Sequence, residues 1–147
     1  MTINEIFRKA CEPITEVIGF HYNTIPALEA NNEIQYPAVV RLLRVTDELT
    51  SSDLTDELRT VEDIVIAVKG DNPPAGDCEE ALELQALRIF FELMKNLKAN
   101  GLTFAPPTQL RWLRRATMAQ TLILTFTMKI NNVSSFNDQC VTFNYNF

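Results

Sequence analysis

The side chains that could do chemistry in this chain are few and scattered. His21 is the only histidine. It stands in Phe20-His21-Tyr22 with no serine or cysteine motif beside it, so a nucleophile would have to come from a distant segment. A lone histidine among aromatics is more often structural. The three cysteines, Cys11, Cys78 and Cys140, are odd in number and form no CxxC pair. Zinc ligation and a disulfide framework are therefore disfavoured, and the residues read as reduced thiols in a cytosolic setting. Cys11 and Cys78 fall at or near expected helix starts, where a thiolate is favoured. Buried, inert cysteine is the commoner outcome.

Carboxylates gather between Asp47 and Thr60, where Asp47, Glu48, Asp53, Asp56 and Glu57 share a stretch without Gly or Pro. A calcium loop needs spaced Asp/Asn ligands and a central glycine, which this run lacks. A solvated acidic loop is the plainer reading. Gly70 and Gly76 flank Pro73-Pro74 without resembling a loop that cradles phosphate. The one basic cluster is Arg111, Arg114 and Arg115 around Trp112. On a strand, Arg111 and Arg115 share one face, and Trp112 and Arg114 the other. The cluster is either a solvated strand end or a protein-contact patch, since Arg and Trp are enriched at interface hot spots. With no catalytic, metal or cofactor motif, no cofactor is expected, and the chemistry of individual residues does not by itself assign the chain a job.

These residues are positioned by an alternation of helical and strand patterns. The longest element runs from Asp77 to Gly101. Asp77 suits an N-cap and Glu80 follows at capping-box spacing. Leu82, Ala86, Ile89, Leu93 and Leu97 hold one helical face, which Leu87, Phe90 and Met94 widen. Glu83, Arg88, Glu92 and Lys95 stay on the wet side. Gly101 is the expected C′ residue. A helix of roughly 23 residues spans about 35 Å, enough to cross a small sheet.

A first helix, capped by Thr2 or Asn4, places Ile3, Phe7, Ala10, Ile14 and Val17 at helical spacing. Pro13 is expected to kink or interrupt it, at a cost of ~3 kcal/mol, and Gly19 to end it. Phe20 to Ala30 reads as extended chain with a turn, and Asn31 to Glu33 as a loop. Ala38 to Val45 reads as a strand preceded by Pro37. The acidic stretch that follows is either a long hairpin loop or a ragged strand extension. Val61 to Lys69 alternates, with Ile64, Ile66 and Val68 on one face and Asp63, Val65, Ala67 and Lys69 on the other. After the long helix come a break at Ala105-Pro106-Pro107, a short strand from Gln109 to Arg115, and a turn near Ala116-Thr117. The clearest strand sets Leu122, Leu124, Phe126, Met128 and Ile130 against Thr121, Ile123, Thr125, Thr127 and Lys129. The tail from Asn131 alternates again at Val141 to Phe147. It reads either as an edge strand or as an arm onto a neighbouring subunit.

The expected fold class is α+β: a two-layer sandwich whose mostly antiparallel sheet, of four or more strands, is covered by the N-terminal helix and the long helix. At 147 residues, the chain reads as a single domain with a real core. With 46% hydrophobic and 22% charged residues it groups with ordinary globular proteins. A net charge of −6 argues against a general nucleic-acid binder, whose affinity comes from basic residues on phosphates. The N-terminal MTINEIFRKACEPI shows no signal-peptide apolar region, and no run approaches ~18 apolar residues, so neither export nor membrane spanning is expected.

Over roughly residues 3 to 130, the chain resembles the tail-terminator proteins of long-tailed bacteriophages, the family of the lambda tail terminator. The matching features are the N-terminal helix, Gly19-Phe20, Ile25-Pro26-Ala27, and Tyr36-Pro37-Ala38-Val39-Val40 leading into the first main strand. A polar acidic loop, the Val61 to Lys69 strand, the long helix and the last long strand follow. The Asn-rich tail after Ile130 departs from the pattern, and related neck and tail-completion proteins share the fold.

This resemblance implies a structural virion protein and not an enzyme, assembled in the bacterial host cytoplasm. It would be a ring, typically a hexamer, that caps the finished tail tube and meets the head-connector proteins. DNA would pass through without specific binding. Six copies would carry about −36, and a negative lumen would keep DNA from sticking. Asp47, Glu48, Asp53, Asp56 and Glu57 are the expected lumen-facing residues, and Arg111, Trp112, Arg114 and Arg115 the expected protein-contact patch. The alternatives are a small-ligand- or protein-binding α+β module, or a small enzyme, with a pocket between helices and sheet near His21, Cys11 or Cys78. A secretion- or injection-system adaptor on the same fold is a further option.

Overall fold

The computed structural model describes residues 2–30, 33–43, 49–51, 58–69, 77–114 and 121–131. In chain order the elements are α1 (Ile3–Cys11), β1 (Gly19–Asn23), α2 (Ile25–Glu29), β2 (Ala38–Leu42), β3 (Leu49–Ser51) and β4 (Leu58–Lys69). They continue with α3 (Asp77–Ala99), β5 (Phe104–Ala105), β6 (Leu110–Arg114) and β7 (Thr121–Ile130). All seven strands belong to one mixed sheet of order β1-β2-β4-β7-β5, with β3 also on β4 and β6 also on β7. The fold class is α+β, as the alternating patterns require.

Local chemistry accounts for the helix ends. Thr2 and Glu5 form a capping box on α1: each backbone N–H donates to the other's side chain at 3.2 Å. At the far end of α3, Gly101 takes φ +91°. The Leu102 N–H then donates to the Leu97 carbonyl and the Gly101 N–H to that of Lys98, both at 3.1 Å. This is a Schellman cap, closed by burial of Leu97 and Leu102 in the same core.

The register of β4 and β7, from Thr60↔Ile130 to Lys69↔Thr121, gives the sheet its centre. Alternation turns Ile64, Ile66 and Val68 of β4, and Leu122 to Ile130 at every second position of β7, toward the helices. There they meet Ile6, Phe7 and Ala10 of α1 and Ala86, Ile89, Leu93 and Leu97 of α3. Each fully buried side chain of this size contributes ~1.5–3 kcal/mol. The second sheet face carries a smaller cluster of Val40, Val65, Ala67 and Ile123, covered by Leu28 of α2 with Ile34 and Tyr36 beside it.

Several expectations need correction. The first helix does not continue to Gly19: α1 stops at Cys11, two residues before Pro13, and Gly19 instead begins β1. Proline's missing N–H and ring bulk make the earlier stop cheaper than a kink. The stretch from Phe20 to Ala30 contains a short helix, α2. Thr24 caps it by accepting the Ala27 N–H at 3.3 Å, and a proline stands in its first turn. β1 pairs with β2 in parallel, which makes the sheet mixed rather than hairpin-linked throughout. α2 is the crossover that parallel pairing demands. β2 ends at Leu42, and Arg44 and Val45 of the expected strand lie outside the described residues. β3 pairs with the start of β4, from Leu49↔Thr60 to Ser51↔Leu58, so a strand extension borders the acidic run. β5 forms just ahead of Pro106. The turn near Ala116-Thr117 and the tail beyond Asn131 lie outside the described residues.

Candidate functional site

The sheet face opposite α1 and α3 is only partly covered, and its uncovered half holds the most distinctive surface. Strand alternation there lines up Leu42 of β2, Asp63 of β4, Thr125, Thr127 and Lys129 of β7, and Arg111 of β6. With Thr108 and Gln109 they line a shallow groove of about 430 Å³. Thr127 Oγ1 donates to Asp63 Oδ1 at 2.8 Å, across the antiparallel Asp63↔Thr127 pair. Arg111 and Lys129 stand exposed at the rim.

The basic cluster is therefore divided. Arg111 is opposite Thr125 on the grooved face, while Trp112 is opposite Leu124 and packs half-buried against the helix-side core. This is the alternation expected of the strand. Trp112 is a core residue as much as a surface one. Arg114 pairs with Leu122 in the register, and Arg115 lies outside the described residues. So do Asp47, Glu48, Asp53, Asp56 and Glu57.

The thiol and imidazole candidates are kept apart. Cys11 is the last residue of α1, buried in the helix-side core. Burial pushes its thiol from 9.0 up to about 12, so the reactive thiolate is disfavoured near neutrality. The helix-start argument fails at Cys11, because the residue closes a helix instead of opening one. His21 follows Phe20, which stacks on Phe7 at 5.4 Å on the helix side. The imidazole thus falls on the other face, half-buried, and burial lowers its pKa from 6.5. Cys78 is the second residue of α3, and Cys140 lies outside the described residues. Among the described residues, no three His, Cys, Asp or Glu side chains gather as metal ligands.

A second constellation was missed in the sequence. Arg41 of β2 donates through Nε and Nη2 to Glu62 of β4 at 3.0 and 2.9 Å, and through Nη1 to Asn4 Oδ1 at 3.0 Å. Its guanidinium lies 4.4 Å from the centre of the Tyr22 ring. Thr60 Oγ1 donates to Glu62 Oε1 at 3.2 Å. This bidentate pair ties α1, β1, β2 and β4 together at the edge of the core. Part of its signal was available: Arg41 and Glu62 each occupy an inward-facing phase of an apolar strand, and a buried charge needs a partner, but strand pairing alone decides which partner it meets.

The outer face of α3 is also unusual. Phe91 is 66% exposed and Leu84, seven residues earlier on the same stripe, is 54% exposed. Phe91 sits edge-on to Phe90 at 5.3 Å, and Phe90 edge-on to Phe126 at 5.0 Å, so an aromatic series runs from the sheet to solvent. Beside it, Pro13, Ile14 and Glu16 face Arg88 and Glu92 across a hollow of about 380 Å³. Arg88 and Glu16 pair there at 3.2 Å. No described helix is long and apolar enough to cross a membrane.

No known protein family matches this chain, and no curated protein aligns with it.

Proposed function

We propose that this chain is a structural virion protein: a tail terminator or completion protein that forms a ring, typically a hexamer, capping the tail tube of a long-tailed bacteriophage at the head–tail junction. The observation that carries the reading is the order of elements on one sheet. A capped N-terminal helix, the Tyr36-Pro37-Ala38-Val39 lead-in to β2, the β4 strand, a 23-residue α3 and the long β7 follow one another in the sequence that the resemblance requires. Two unlike exposed surfaces, the α3 stripe and the sheet groove, suit a subunit that meets others on more than one side. A net charge of −6 per chain suits a channel through which DNA passes without sticking. In this reading the work is done by contacts, and no group acts in acid–base or nucleophilic chemistry.

The test is mass in solution by light scattering, across concentration and with purified tail tubes. A hexamer, or a monomer that becomes a ring on the tube, is the expected outcome. A monomer at every concentration that ignores tubes would overturn the proposal. One observation favours a second reading, a small-ligand- or protein-binding module: the 430 Å³ groove, which lies on the open sheet face instead of between helices and sheet. A ligand protecting Arg111 and Lys129 in a protein that never forms rings would select it.

A further inference from the structure

The two layers of the sandwich present complementary surfaces. On the helical side, Phe91 projects from α3 with two-thirds of its surface in water, next to Glu92, which is also exposed. Phe91 shares its stripe of α3 with exposed Leu84, and aromatic side chains are enriched among the residues that anchor protein interfaces. On the sheet side, the groove sets two exposed cations, Arg111 and Lys129, around a floor of Thr125, Thr127 and the Asp63 carboxylate, which accepts the Thr127 hydroxyl. Neither Glu92 nor these two cations has an ion-pair partner among the described residues.

We propose that the Phe91–Glu92 ridge of one copy of this chain seats in the Arg111–Lys129 groove of a second copy. The inference rests on the ring reading above and names the faces that meet. The signs match at the contact itself: Glu92, whose neighbour Arg88 is already paired with Glu16, meets Arg111 and Lys129, which outnumber Asp63 in the groove, and a guanidinium at the rim is suited to lie on an aromatic ring. Ridge and groove lie on opposite layers of one subunit, so the contact is head-to-tail. Repeated with a closing rotation, such a contact makes a ring.

Charge reversal tests the pairing. Glu92→Arg and Arg111→Glu change exposed positions, and far-UV circular dichroism checks that each variant folds. Each alone is expected to associate at least about tenfold more weakly than wild type, because like charges then face each other. Mixed in equal amounts, the two variants should reassemble: each ridge then finds a groove of opposite sign, in strict alternation around a ring of even order. Phe91→Gln should weaken association without any change of charge. Wild-type association in either single variant, or a mixture that stays monomeric, would overturn the pairing. If wild type forms rings and the variants do too, only this contact falls. If wild type stays monomeric even on tail tubes, the ring reading falls with it.

Discussion

Arg41→Met is the substitution whose effect follows most directly from the geometry. The arginine makes two hydrogen bonds to Glu62 and one to Asn4, at 2.9–3.0 Å, and the Arg41 and Glu62 side chains are only 12% and 5% exposed. Methionine replaces the aliphatic stem but leaves the Glu62 carboxylate out of water with one remaining partner among these groups, the Thr60 hydroxyl. Breaking a buried pair from one side costs about 3–5 kcal/mol. The Thr60 bond and the slightly more exposed arginine place this pair near the lower end, about 3 kcal/mol. At 2–4 °C per kcal/mol, Tm should fall by roughly 6–12 °C. Replacing both partners, Arg41→Met with Glu62→Met, removes every stranded charge and should return stability to within about 1 kcal/mol of wild type. Urea unfolding, read by fluorescence of the single tryptophan Trp112 and by circular dichroism, measures both. It belongs over a range of dilutions, since any self-association would add concentration-dependent stability. A loss below about 1 kcal/mol in the single variant would mean that solvent screens the pair as it does on a surface. A double variant as unstable as the single would refute the stranded carboxylate as the cause.

Two further predictions concern the α3 cap and the buried thiol. Gly101→Ala should cost about 1–2 kcal/mol in urea unfolding, because φ +91° is a left-handed backbone, while the added Cβ meets nothing within 4 Å; an unchanged midpoint would show that the cap relaxes freely. Cys11 holds its proton up to about pH 12 when folded against 9.0 when unfolded, so the stability linked to it is fully present below pH 9 and is lost as pH rises from there toward 12, by about 1.4 kcal/mol per pH unit. Cys11→Ala should flatten that part of the stability profile, and identical slopes in variant and wild type would contradict the burial of the thiol.

Periodicity was enough to locate the elements that bury a continuous face. Leu82 to Leu97 at helical spacing and Leu122 to Ile130 at every second position each fix an element's type by themselves, since no other conformation gathers those side chains on one side. Gly101 was equally legible, because few other residues accept its φ. The short pieces were not. α2 spans five residues, too few for a period to show, and a helix that short is stabilised by what it covers, here Val40, Val65 and Ala67, more than by its own propensity.

The sequence by itself determined the α+β class, the inward and outward faces of β4 and β7, and the opposite orientation of Arg111 and Trp112. These depend on nearest-neighbour geometry and on the alternation of a single chain segment. Only the tertiary structure decided that β1 runs parallel to β2, that Cys11 is sealed in the core with His21 on the other face, and that Arg41 finds Glu62 across 21 positions of chain. Strand order and the meeting of distant charges depend on which faces pack together. That choice is made by the whole core at once and leaves no local trace in the chain.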